Sequence, residues 1–314
     1  MTWMSDISDP EQTVKARCLT SDPTLFFEPF ETWTDDSSSI KPVVAAFRSN
    51  LRAAKTVGTL PYRLIRGSVA GRRYDRLQLA ELIEGGGEPN SELYSEQQEH
   101  ARSRVKDAWR AQEASTEFNQ SVVNETLNIL YYSLNFPYFS EASHELLRQV
   151  VVMIWSAFEV TSNDLGVAII NQRPALSKTV LQLDIYKQLR GIPITTLEEF
   201  DFDLSQSMGD ILFSIKRLNT VPSIAEFYNS IFVNALLQKS FKSSTLWLLA
   251  QRRHLIVHRR GIVDTQYLQN TSDNQPLGTR IDVPAIEVIN SLIEVRDLGL
   301  FMADCALGLL NGSA

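Results

Sequence analysis

The sequence predicts an all-α protein built on an antiparallel four-helix-bundle core, and three observations carry that expectation. From residue 140 onward, apolar side chains recur at steps of three, four and seven, as they do in helices with one buried face. No segment alternates convincingly at period two, as a half-buried strand would. Helix-boundary residues, with Ser before the apolar runs and Gly or Pro after them, separate the periodic stretches. The 314 residues are 44 % hydrophobic and 21 % charged, an ordinary globular composition with length for two modest domains. We divide them into an N-terminal extension, residues 1–139, and a helical domain, residues 140–314.

Residues 1 to about 40 read as an irregular arm. Pro10, Pro23 and Pro29 punctuate it, and Phe26, Phe27, Phe30 and Trp33 supply aromatics to pack on the rest of the protein. A helix is expected from about Lys41 to Lys55. The next stretch carries Arg63, Arg66, Arg72, Arg73 and Arg76, read as a solvated basic surface in preference to an RNA-binding patch. Gly85-Gly86-Gly87, then Glu88-Pro89-Asn90, is the clearest break, with Ser91 placed to cap the next helix. From Glu92 to about Ala114, a thin stripe through Leu93, Ala101, Val105 and Ala108 predicts a long surface helix. It leads into Phe118, Val122, Leu127 and Leu130 and stops at Asn135-Phe136-Pro137.

The second region begins with a central helix from about Ser140 to Asn171, its buried face traced by Leu147, Val151, Ile154, Phe158 and Leu165. A shorter helix is expected from Leu176 to Leu189, ended by Gly191. Another runs from about 203 to 218 along Leu204, Met208, Ile211, Leu212, Ile215 and Leu218. Ser223-Ile224-Ala225-Glu226 reads as a capping box opening a further helix. Ser243 or Ser244 opens a helix that Gly261 closes, and a polar connection, 270–276, leads to a last helix from about Val283 to Leu310. The bundle core is thus about 140–171, 203–218, 243–260 and 283–310.

Charge and cysteine content narrow the function classes. A formal charge of −7 argues against general nucleic-acid affinity, so phosphate contacts must come from a local basic cluster. The two cysteines, Cys18 and Cys305, sit at opposite ends of the chain with no metal-ligand spacing, which fits a reducing compartment. No apolar signal-peptide core is evident near the start, and the longest uninterrupted apolar run, Val150 to Trp155, is far short of a bilayer span. A cytoplasmic protein without a membrane role is expected.

The local basic cluster is Arg252-Arg253-His254-Leu255-Ile256-Val257-His258-Arg259-Arg260. Its helix begins with Leu246, Leu249 and Ala250 on one stripe, and continuing that stripe reaches Arg253 and then Val257. An arginine in a core-facing position needs a carboxylate or phosphate beside it. His254 and His258 are one turn apart and share a face near the helix C-terminus. The dipole there favours an imidazolium while the flanking arginines oppose it, a balance suited to acid–base work. RNA cleavage needs little more, because the substrate brings its own nucleophile, the 2′-hydroxyl. The plainer reading is a basic helix end that satisfies its own carbonyls. The histidine pair also has the spacing of a helical zinc site, but no glutamate follows His254 and no third ligand is evident. No cofactor motif is present.

Arg253, a polar residue, three further residues and His258 at the end of a core helix resemble the signature of the HEPN superfamily. Met153 to Glu159, Gly261 to Asp264 with Tyr267-Leu268, and the polar loop reaching Leu277-Gly278 are similar to its RiboL-PSP-HEPN branch. The resemblance covers about residues 140–312 and leaves 1–139 unassigned. It implies a metal-independent endoribonuclease, in a toxin–antitoxin or antiviral setting, with the active site formed where two motif helices meet in a homodimer. By that resemblance Arg253 holds the scissile phosphate, His258 is the general base or acid, and His254 assists or orients. Glu159 is the brace the resemblance implies for Arg253; because the central helix offers few other acids, Glu159 or Asp164 is expected to pair with it, and Arg252, Arg259 and Arg260 are expected to contact RNA. Leu255 and Ile256, off the stripe, are expected to need cover from the second copy. The expected partners are RNA and an antitoxin or defence protein. The alternatives are a non-catalytic helical RNA-binding or protein-interaction module, and a nuclease subunit that depends on a partner encoded nearby.

Overall fold

The computed structural model describes residues 9–20, 24–33, 39–84, 92–187 and 192–312. The class is all-α. Among the described residues there are fifteen α-helices and no strand; Ile262 and Arg280 form an isolated antiparallel bridge. In chain order the helices begin with α1 (Pro10–Arg17), α2 (Thr24–Thr32), α3 (Lys41–Gly58), α4 (Leu60–Glu84), α5 (Glu92–Glu113) and α6 (Thr116–Ser133). Then come α7 (Pro137–Gln172), α8 (Ser177–Val180), α9 (Ile194–Glu198), α10 (Met208–Ile215) and α11 (Val221–Ile231). The last four are α12 (Ala235–Ser240), α13 (Ser244–Arg259), α14 (Thr265–Thr271) and α15 (Ala285–Leu310).

These helices form two compact units, one of residues 1–20 and 58–144, the other of 21–57 and 145–314. In the first, α4 packs on α5 and α6, and α1 lies along α6. Val14, Cys18, Leu127 and Leu130 make its buried centre, with Tyr62, Ile65 and Phe139 around them. A second seam stacks Tyr74, Trp109 and Phe118 edge to face, at centroid distances of 5.4 and 5.3 Å. The arginine-rich stretch is part of α4. Arg72 and Arg73 both reach Glu125, and Arg63, Arg66 and Arg76 are exposed, as a solvated surface requires.

In the second unit, α7 presents Leu147, Val151, Ile154, Phe158 and Leu165 as a buried stripe, as its periodicity predicts. By length and mean hydropathy α7 could cross a bilayer, but 61 % of its most apolar window is buried inside the protein, as in a core helix. Glycines set how closely neighbours approach it. A Cβ on Gly209, at the start of α10, would lie 2.4 Å from the Val167 carbonyl oxygen, so α10 rests directly on the α7 backbone. Asn171 secures that approach by accepting the Gly209 N–H at 2.7 Å. Asn163 does the same further up, exchanging hydrogen bonds of 2.9 Å with both the N–H and the carbonyl of Leu218. Gly299 of α15 likewise leaves room for the Phe47 ring, which a Cβ there would approach to 2.3 Å. Phe26, Phe27 and Phe30 are buried as expected.

Several elements differ from the sequence expectation, each for a local reason. A single extension over 1–139 is not what the packing gives: residues 21–57 join the second unit, where Phe47 meets α15. The described residues of the arm include two helices, α1 and α2, and Asp9 caps α1 with Pro10 in its first turn. The expected helix over 176–189 is instead two 3₁₀ turns around the short α8. The helix expected over 203–218 shrinks to α10, since Asp201 and Phe202 adopt positive φ and Lys216 is extended. The capping box belongs to Thr220 and Ser223, and Glu226 accepts the Asp184 N–H instead. Ser115 separates α5 from α6 by capping the latter. The Gly85–Gly87 break, Ser91 and Gly191 lie outside the described residues.

Candidate functional site

Helix α13 positions the basic cluster. Ser243 caps its start by accepting the Leu246 N–H, and Arg260 ends it in a left-handed conformation, φ 55°, followed by Gly261 at φ 73°. The Gly261 N–H closes the turn on the Leu255 carbonyl at 3.0 Å. The buried face of α13 runs through Leu246, Leu249, Arg252 and Leu255 in steps of three.

That stripe corrects the sequence reading of the arginines. Arg252, expected to contact RNA, is 4 % exposed. Its guanidinium reaches Glu287 of α15, Asp273 at 3.1 Å and the Tyr267 hydroxyl of α14 at 3.3 Å. The Tyr267 hydroxyl in turn donates to Asp273 at 2.6 Å. Burial and that bond push the Tyr267 hydroxyl well above its usual range. At Arg252, burial opposes the charge, but the hydrogen bonds to Tyr267 and Glu287 outweigh it and the positive form is reinforced. Arg252 is fully committed to holding α13, α14 and α15 together. Buried and paired with two carboxylates, it is not presented to a phosphate in solvent.

Arg253, about 100° further round the helix, is the opposite case. Its side chain is 27 % exposed, and Nη2 lies 3.8 Å from Glu159 Oε2 on α7. At that distance the pair attracts without a hydrogen bond. Arg253 Nε is shut from solvent with no acceptor. Glu159 is itself steadied by the Trp155 indole N–H, which donates to the same oxygen at 2.8 Å. Glu159 of α7 thus lies beside Arg253 as an ion-pair partner, and among the described residues the guanidinium makes no hydrogen bond.

Asp164 does not share this place. It lines a groove of about 880 Å³ between α3, α7 and α10 with Arg217 and Asp210. Loss of solvent raises its carboxyl above the ordinary value, and Arg217 partly offsets this. It faces Arg217, so its expected role beside Arg253 falls away.

His254 and His258 are both exposed, with ring centroids 4.7 Å apart. Neither ring has a hydrogen-bond partner among the described residues. Arg259 is held loosely by Asp264 at 3.6 Å, while that acid's other oxygen caps α14. Arg260 is exposed at the helix end. The apolar residues expected to need cover are also redistributed: Leu255 is buried, Ile256 half-buried, and Val257 is 48 % exposed. Sequence reasoning missed the Tyr267–Asp273–Glu287 clamp, although an acid in the 270–276 connection opposite an arginine-rich helix was a usable signal.

The arrangement thus offers two solvent-facing imidazoles, one beside the other, and at the adjacent position an arginine ion-paired to Glu159. Such groups can accept a proton, return one and neutralise a phosphate. Comparison of the chain with models of known protein families, with characterised proteins and with solved structures finds no match.

Proposed function

We propose that this chain is an endoribonuclease that cuts RNA without a metal ion, through attack of the substrate's own 2′-hydroxyl. In this reading α7, α13 and α15, with the short α10 as fourth member, form a HEPN-like antiparallel bundle. The observation that carries it is the exposed His254–His258 pair beside Arg253, a partly exposed arginine ion-paired at 3.8 Å to Glu159. Arg253 binds the scissile phosphate. His258 takes the proton from the 2′-hydroxyl, or delivers one to the leaving 5′-oxygen, and His254 orients it. As the new P–O2′ bond forms, the P–O5′ bond breaks, giving a 2′,3′-cyclic phosphate and a 5′-hydroxyl.

Attacking and leaving oxygens stand on opposite sides of phosphorus. Two histidines from one helix face lie side by side, so a second copy supplies the partner group across a two-fold axis. The exposed Val257 fits a contact between the two motif helices. Growth control or antiviral defence, with a cognate regulator, is the setting this reading implies.

The test is incubation of the purified chain with total RNA in EDTA and chemical mapping of the ends. Cleavage with cyclic-phosphate and 5′-hydroxyl ends, and no cleavage of DNA, is the expected result. Intact RNA, or cutting that appears only with added divalent metal, overturns the proposal.

A further inference from the structure

The exposed face of α13 continues beyond the histidines. Trp247 precedes His254 by seven residues, two helical turns, so the two share a face, with Gln251 between them. Trp247 is 36 % exposed, a large share for a residue that gains so much from burial. The rest of it is pinned: the indole N–H donates to the Asn270 carbonyl at 2.9 Å. Gln251 Oε1 accepts from Asn270 Nδ2 at 3.3 Å, leaving the glutamine's own N–H groups uncommitted among the described residues. Helix α14 therefore holds the indole in one orientation and satisfies its only polar atom. The part left in solvent offers nothing but aromatic surface.

We propose that Trp247 is the stacking platform of a nucleobase subsite, and that RNA reaches α13 as an unpaired strand. This rests on the ribonuclease reading, of which it specifies the substrate. Along the helix axis Trp247 and His254 are about 10.5 Å apart, close enough for a base near the scissile phosphate to reach the indole. A base that close to the scissile phosphate lies flat on the indole only if it is not already stacked within a duplex. The Gln251 N–H groups lie on the path and suit the hydrogen-bonding edge of such a base.

The probe is a 2′-O-methyl RNA oligonucleotide, which lacks the free nucleophile, so its binding is read independently of cleavage. Its affinity for the full chain is measured by fluorescence anisotropy for wild type, Trp247→Leu and Trp247→Phe, with thermal melts confirming the fold. Loss of one stacked base weakens single-strand binding by about 5- to 150-fold in Trp247→Leu. Trp247→Phe retains most of the affinity, because it keeps an aromatic face. A duplex of the same sequence binds wild type and Trp247→Leu alike. If wild type cleaves RNA while Trp247→Leu binds and cuts as wild type does, the subsite is refuted and the ribonuclease reading stands. If wild type cuts nothing but binds the single strand in a Trp247-dependent way, the subsite stands and the ribonuclease reading falls. No single-strand binding by wild type, or an equal loss for duplex, overturns the inference.

Discussion

Replacing His258 by alanine is expected to lower the rate of RNA cleavage by about 10²–10⁴-fold, the usual contribution of a positioned acid or base. The same change should leave folding nearly untouched. His258 is exposed at the end of α13, its ring beside that of His254, so its stabilising effect rests on that contact and on the helix dipole, the latter about 1 kcal/mol or less. Arg253→Ala should behave differently, lowering both cleavage and RNA affinity, because it removes a charge-assisted phosphate contact. Cleavage rates with mapped ends, measured in EDTA beside thermal melts, separate these outcomes. A His258→Ala protein that cuts at the wild-type rate would remove the catalytic assignment and leave a binding module in its place.

The largest effect on stability is expected at the neighbouring position. Arg252→Ala should destabilise the second unit by about 3 kcal/mol, at the lower end of the cost of breaking a buried ion pair. The lower end applies because Glu287 is 38 % exposed and can rehydrate, whereas Asp273, 16 % exposed, keeps only the Tyr267 hydroxyl. Urea unfolding of the full chain measures the loss. Adding Glu287→Gln to Arg252→Met should recover part of it, and the double-mutant cycle gives the coupling. An Arg252→Ala protein as stable as wild type would show that the clamp does not hold the three helices.

The contrast between these two arginines shows where the sequence stops being legible. From Leu249 an apolar stripe can continue by four residues to Arg253 or by three to Arg252, and helical periodicity permits both. Tyr267, Asp273 and Glu287, contributed from distant parts of the chain, decide for Arg252. The pairing of Arg253 with Glu159 was legible because α7 offers few acids. Asp164 was the wrong alternative, and five residues, or 140° round the helix, place it over the groove with Arg217. Long helices with one apolar face, such as α7 and α15, could be read within a few residues of their ends. The short elements from 174 to 216 could not, since contacts such as Gly209 on the α7 backbone set their limits. The start of α1 was missed for another reason: Pro10 after Asp9 opens a helix, because proline suits the first helical position.

One buried guanidinium also changes how the basic helix meets a polyanion. A count of charges in the sequence credits the segment with four arginines, and each phosphate neutralised on a single strand would release about 0.7 counterion. Arg252 is buried and already neutralised by Asp273 and Glu287, so at most Arg253, Arg259 and Arg260 contribute from this segment. In the proposed complex with RNA their joint contribution would be at most a slope of about −2 in the logarithm of affinity against the logarithm of salt. A polyanion held by so few charges is released readily at moderate ionic strength. If RNA binds as proposed, its retention on the helix would rest on contacts that salt does not screen.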